Sequence, residues 1–373
     1  MAVFRRIQED IVPERVLTAR ELNRALLARQ LVLERSTLSI TQALEQVGGL
    51  QAQYAPSAYV ALWSRLRGFH QDALTKALEQ RQVVQATLMR ATIHIVSACD
   101  YPRLAAAIRK SRREWWLRAQ GKQLKGIDMG AVAARVRKFL SDTPRRQNDI
   151  QARLLAEGFP RIAAVSVGMW VDLVRIPPSG TWEQRRADLF GLADDWVDTS
   201  SASEAEGLKH LVRRYFGGFG PASLNDLSSW AGLPVTTLRP VVERLRLRRF
   251  HDEKGGELLD LPRAPLPDRD TPAPVRFLPT WDATLLVHAR RTEILPQAYR
   301  PLVFQTKTPH SVATFLVDGA VAGKWRYEKG HVRLEPFHRI PAAVRRELED
   351  EAEGLAAFHI PDSPRSGGKS PRE

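Results

Sequence analysis

A single cysteine, Cys99, in a chain of 373 residues excludes an intrachain disulfide and any cysteine-rich zinc site, and it is expected to pack as a small hydrophobe. The nine histidines show no metalloprotease-like spacing, so no metal is expected, and no motif asks for another cofactor. No apolar run approaches the ~20 residues of a membrane span, and Phe4-Arg5-Arg6-Ile7 lacks the apolar core of a signal peptide. These absences predict a cytoplasmic, nucleoid-associated monomer with no membrane partner. Acidic residues are also in deficit. Set against 56 Lys and Arg, the 42 Asp and Glu leave a formal charge of +14, which favours a polyanion such as double-stranded DNA over an acidic small molecule.

What is present suffices for a folded protein of two or more domains: 43% of the residues are hydrophobic. Thr18-Ala19-Arg20-Glu21 is a capping-box pattern that opens a helix with Leu22, Ala25, Leu26 and Leu33 on one face and Arg20, Arg24, Arg29 and Arg35 outside. A second amphipathic stretch, 41–47, stops at Gly48-Gly49. Pro56 admits a helix through Val60, Leu62 and Trp63, and another is expected over 71–81. Residues 83–96 then alternate in strand fashion, with Leu88, Arg90, Thr92, His94 and Val96 on one side. Helices followed by a β element predict a winged-helix unit within 1–129.

The order repeats. In 130–205, Asn148-Asp149-Ile150-Gln151 resembles a helix start, Gly158 an end, 165–174 a second helix, and Pro177-Pro178-Ser179-Gly180-Thr181-Trp182 a sharp turn. In 206–265, Ser223-Leu224-Asn225-Asp226 caps a short helix, Gly232 supplies a turn, and Thr236-Thr237 is expected to cap a second helix with Pro240 in its first turn. Lys254-Gly255-Gly256 then marks a hairpin, the wing. A proline-rich link over 262–274 leads into a β region spanning 266–345, where Asp318-Gly319 turns a tight hairpin. An amphipathic helix over 342–355 follows, and 346–373 holds its end and a disordered tail. The fold class expected is α+β, mainly α: tandem winged-helix units plus a C-terminal β region.

One pair of residues carries candidate catalytic chemistry, and several groups of cations are candidate DNA contacts. Gln51 and Gln53, two apart just after Gly48-Gly49, share one face of an extended segment and form a polar clamp. Between 103 and 125, Arg109, Lys110, Arg112 and Arg113 are interleaved with Trp115 and Trp116, a mixture suited to phosphates with aromatic support; the alternative is a helix whose tryptophans are core. Arg246, Arg248 and Arg249 crowd the end of the helix–turn–helix. Arg90 and His94 stand on the polar side of the predicted strand and are candidate DNA contacts, with a satisfied structural histidine the alternative for His94.

Several phrases in order extend this reading: Gly49-Leu50-Gln51-Ala52-Gln53; Leu88-Met89-Arg90-Ala91-Thr92-Ile93-His94-Ile95-Val96; Arg214-Tyr215-Phe216 through Gly220-Pro221-Ala222 to Trp230-Ala231-Gly232; and Leu316-Val317-Asp318-Gly319 to Trp325-Arg326. Together they resemble the winged-helix DNA glycosylases related to AlkZ and YcaQ, over nearly the whole chain. The resemblance implies three tandem winged helices with an added β region around a DNA-binding cleft. It also implies that Gln51 and Gln53 are the catalytic Gln-x-Gln motif of an enzyme excising alkylated purines. Ala91 departs from the glycine that the family often has there, and Ala289-Arg290-Arg291 from a common Asp-Arg pair. The reading left open beside it is a DNA-binding regulator without catalysis.

Overall fold

A computed structural model describes residues 14–198, 202–286, 293–305 and 310–360. The tail expected to be disordered, Ala289-Arg290-Arg291 and Phe4-Arg5-Arg6-Ile7 lie outside them. The described chain begins with β1 (Val16–Leu17) and α1 (Ala19–Arg29), the latter started by the Thr18–Glu21 capping box. Then come α2 (Ile40–Val47), β2 (Leu50–Gln51), α3 (Ala55–Arg65) and α4 (Gln71–Glu79). Residues 83–96 are not one strand. They are a hairpin, β3 (Val83–Thr87) and β4 (Ile93–Ser97), whose tip is a turn of 3₁₀ helix at Met89–Ala91.

A helix of 24 residues, α5 (Tyr101–Leu124), leads to the second unit: α6 (Met129–Leu140), β5 (Arg145–Arg146), α7 (Gln147–Ala156), α8 (Arg161–Ser166), β6 (Leu173–Arg175), β7 (Leu189–Leu192) and α9 (Ala193–Trp196). Here the expected caps shift. The cap of α7 is Arg146 rather than Asn148, and the helix expected over 165–174 is shortened to α8, a 3₁₀ turn and the start of β6.

The third unit is α10 (Glu204–Phe219), α11 (Leu224–Ala231), α12 (Val235–Glu243), β8 (Arg248–Asp252) and β9 (Glu257–Asp260). The Ser223–Asp226 capping box and a left-handed Gly232 bound α11 as expected. Pro234, not Thr236-Thr237, precedes α12, and Pro240 lies beyond its first turn. The last part comprises β10 (Arg276–Leu278), α13 (Ala283–Leu286), α14 (Arg300–Val303), β11 (Phe304–Gln305), β12 (His310–Ser311), β13 (Thr314–Val317), β14 (Ala320–Glu328), β15 (His331–Pro336) and α15 (Ala342–Phe358).

The wings of the first two units form one six-stranded sheet, β2-β4-β3-β6-β7-β5, because β3 pairs with β6 as well as β4. The third wing is a separate sheet in which β1 runs parallel to β8, and β10-β13-β14-β15 is an antiparallel sheet backed by α15. Two large cores hold these parts. One surrounds Tyr215, Phe216, Phe219 and Trp230, and the other joins α2, α3 and α4 to Phe277, Phe315 and Leu355.

The arginines expected on the outside of α1 divide. Arg24 and Arg29 are fully buried, because the third wing and the β region both pack on that face. Arg29 makes a two-pronged bond to Asp260 (2.6 and 2.8 Å), while Arg24 pairs with Asp318 and donates to the Thr271 carbonyl at 2.7 Å. Cys99, expected in the core, is exposed.

Candidate active site

The path into the site starts at the end of α2, where Gly48 adopts the left-handed conformation (φ 76°) and Gly49 follows with φ 82°. A Cβ on Gly49 would lie 2.7 Å from Val96 Cγ1, so only glycine lets the chain turn this closely against β4. Gln51 then pairs across β4 with His94, and the Ala52 amide donates to the Ile93 carbonyl at 2.8 Å. The Gln51 side chain is 6% exposed and its Oε1 accepts from Arg90 Nη2 at 2.8 Å. Gln53 is exposed, and its Oε1 accepts from the Ile93 amide at 3.3 Å. One short stretch, 90–93, therefore holds both carbonyls, at two depths.

That stretch is strained. Arg90 and Ala91 are consecutive residues with φ 55° and 56°, a region costing L-residues about 1–2 kcal/mol each. Ala91 is where the family resemblance leads one to expect glycine, and the left-handed backbone gives the reason. Arg90 is partly buried, and besides Gln51 it donates to the Trp230 carbonyl at the end of α11. Burial pushes its pKa down to about 10, and no carboxylate among the described residues opposes the shift.

His94 is not at the surface. It is buried beneath Gln51, its Nδ1 donates to the Thr92 carbonyl at 3.0 Å, and burial, followed by the charge of Arg90, pushes its pKa down to about 3. It is neutral at physiological pH, the structural alternative weighed from sequence.

The basic run on α5 is largely committed to the protein itself. Arg109 bonds Asp172 at 2.8 Å, Arg112 donates to the Thr87 carbonyl at 2.7 Å and to Asp172 at 3.3 Å, and Arg113 lies over Trp170. These contacts tie α5 to the second unit. Lys110 is left exposed. Trp116 packs toward the second unit with Nε1 donating to Ser166 Oγ at 2.8 Å, whereas Trp115 is 48% exposed. On the third unit Arg248 pairs with Glu14 at 2.7 Å and Arg249 with Glu257, leaving Arg246 exposed.

Sequence reasoning missed two recesses. One, of about 240 Å³, lies between the hairpin tip, α5 and the helix–turn–helix, lined by Arg90, Ala91, Arg112, Trp115 and Gly232. The other, of about 370 Å³, begins at Tyr54, the residue after Gln53 in the chain, and is lined also by Trp182, Arg185, Trp325, Tyr327 and His359. Arg185 donates to the Tyr54 hydroxyl at 2.9 Å, and Tyr327 stacks on His359 with centroids 4.1 Å apart. These residues come from four distant stretches, so no local pattern announces them; the one signal was Trp182 in its turn.

No helix among the described residues is long and apolar enough to cross a membrane. A sequence comparison with curated proteins finds no match. The solved structure of Streptomyces sahachiroi DNA glycosylase AlkZ matches with a TM-score of 0.76 over 92% of this chain and 97% of that one; at 17% identity this shows a shared fold. The family model described as DNA glycosylase AlkZ-like matches residues 44–358, which include the Gln pair, the strained hairpin and every sheet except the short β1 strand of the third wing. The chain thus belongs to the AlkZ-like DNA glycosylases.

Proposed function

We propose that this glycosylase excises alkylated purines from double-stranded DNA, with Gln51 and Gln53 placing the water that attacks the N-glycosidic bond. The observation that carries the reading is the holding of both amides by residues 90–93, one by a buried contact to Arg90 and one at the surface. Alkylation at N7 of guanine or N3 of adenine makes the base cationic, so it departs with little acid assistance. What remains is to position water against the developing oxocarbenium sugar. Neutral amides are suited to this. Beside the protein contact it already makes, each carbonyl has a second lone pair to accept from water, and an NH₂ donates to sugar or phosphate, yet neither is a strong base, so undamaged purines with poor leaving groups survive. The neutral His94 beneath them adds no acid.

The residues that hold the pair include no lysine amine, which supports water as nucleophile and a monofunctional reaction that leaves the strand intact. The aromatic recess that begins at Tyr54, next to Gln53 in the chain, would give room for a substituent larger than methyl and supports bulky adducts or interstrand crosslinks among the substrates. Exposed cations such as Lys110 and Arg246 support salt-sensitive, sequence-indifferent duplex binding.

The test is release of free base from duplex DNA carrying N7-methylguanine, with the strand recovered as an abasic product. No release at any enzyme excess, together with a strong preference for one operator-like sequence, would replace this reading with a non-catalytic DNA-binding protein.

A further inference from the structure

The helix–turn–helix of the third unit has its turn against the tip of the β3–β4 hairpin. A Cβ added to Gly232 would lie 3.0 Å from both the N and the Cα of Arg90, and the Arg90 guanidinium reaches back to the carbonyl of Trp230, two residues before that glycine. The other arm of the same guanidinium holds Gln51 Oε1. One side chain thus bridges the turn and the amide to which the chemistry is assigned.

The bridge has a specific effect on Gln51. A carboxamide offers an oxygen on one side and an NH₂ on the other, and the two orientations occupy nearly the same space. A guanidinium has donors only, so it accepts the orientation with the oxygen inward and rejects the one that would press NH₂ against it. Gln51 Nε2 has no protein partner among the described residues and is left to act toward the substrate. The left-handed backbone of Arg90 is a cost that the surrounding packing sustains, as strained residues at functional sites commonly require.

We infer that Arg90 is a positioning residue: it selects one of the two amide orientations of Gln51 and makes that orientation depend on the docked helix–turn–helix. The inference rests on the proposed role of Gln51. It gives the third unit's turn a part in the chemistry rather than in reading a groove.

The experiment compares Arg90→Met, Arg90→Lys and Gly232→Ala, each in the wild-type and Gln51→Ala backgrounds. The measurements are single-turnover release of N7-methylguanine per folded molecule and duplex affinity as a function of salt. Misplacing the amide by about 1 Å predicts a loss of about a hundredfold in rate for Arg90→Met, with affinity and salt slope unchanged. Lysine, which supplies one donor but no fork, should restore part of the rate. In the Gln51→Ala background Arg90→Met should change the rate less than about twofold, because the group it positions is gone. Gly232→Ala leaves the charge in place but pushes the hairpin tip, and should give the same signature, which covers the case in which Arg90→Met fails to fold. Fully multiplicative losses, or an affinity loss with the salt slope reduced by about one, would make Arg90 a phosphate contact and overturn the inference. Unchanged release in Gln51→Ala itself would overturn the underlying assignment as well, so the two failures are separable.

Discussion

Arg29, in the seam between α1 and the third wing, and Arg90, at the tip of the β3–β4 hairpin, are both drawn into the protein, and both were legible from sequence only as cations. Arg29 meets Asp260 in a two-pronged pair, with both side chains fully buried, so its charge is matched and its contribution is to hold two parts of the chain together. Arg90 meets an amide and a backbone carbonyl, and among the described residues no carboxylate opposes the effect of burial on it. Arg175, on β6 of the sheet that the β3–β4 hairpin belongs to, is likewise pushed down to about 10 by burial with no acid partner among the described residues, and lies over Phe190. The seam with matched charges is architecture, whereas Arg90 and Arg175 are met by neutral groups.

The largest effect expected is on the matched seam. Asp260→Ala leaves Arg29 buried without its partner and should cost about 3–5 kcal/mol of stability, read from the denaturation midpoint, while activity per folded molecule stays near wild type. A loss below about 1 kcal/mol would erase the contrast between the two arginines.

Next come the amides. Gln51→Ala and Gln53→Ala should each raise the barrier to N7-alkylguanine release by about 2.7–4 kcal/mol, about a hundredfold or more, with the double variant less than additive. If activity instead falls in proportion to folded protein, the amides brace the turn and nothing more.

A smaller effect separates the buried ring beneath Gln51 from the surface around it. The unfolded chain protonates a histidine near its ordinary pH of ~6.5, while folded His94 resists to about 3, so between those values the unfolded state takes up the extra proton. Stability should therefore be complete above pH ~6.5 and fall by up to roughly 1.4 kcal/mol per pH unit below it. His359, also pushed down by burial, acts in the same direction. Comparing thermal midpoints of wild type and His94→Asn between pH 7 and 5 checks this, and parallel curves for the two would remove His94 as the source.

The smallest effect is expected on the third wing, where Arg248→Ala breaks a partly exposed pair with Glu14 and should change stability by no more than about 1 kcal/mol. A larger loss there would mean that the wing, like α1, is held by its ion pairs.

Local chemistry was legible and distant pairing was not. Thr18, Gly48, Ser223 and Gly232 bound their helices where their side chains or glycine backbones predicted, and Asp318-Gly319 turns between β13 and β14. The hairpin at 83–97 was hidden because its tip bends through Arg90 and Ala91 rather than through glycine or asparagine. The burial of Arg24 and Arg29 was hidden because their carboxylates lie more than 200 residues away along the chain. Gln51 and Gln53 could be singled out from their spacing and from the family resemblance, but the arginine that holds Gln51 could not be told from its neighbours on the same predicted strand.

Strand β3 pairs on one side with β4 and on the other with β6, at Gln85–Arg175 and Ala86–Val174. Cutting the chain before α6 would strip β6 away and leave the β3 edge unpaired at Gln85 and Ala86, which invites pairing between copies. Because they share this sheet, the first two units are expected to unfold together despite their repeated order, and amides in the middle of β3 should be among the last in the molecule to exchange with solvent.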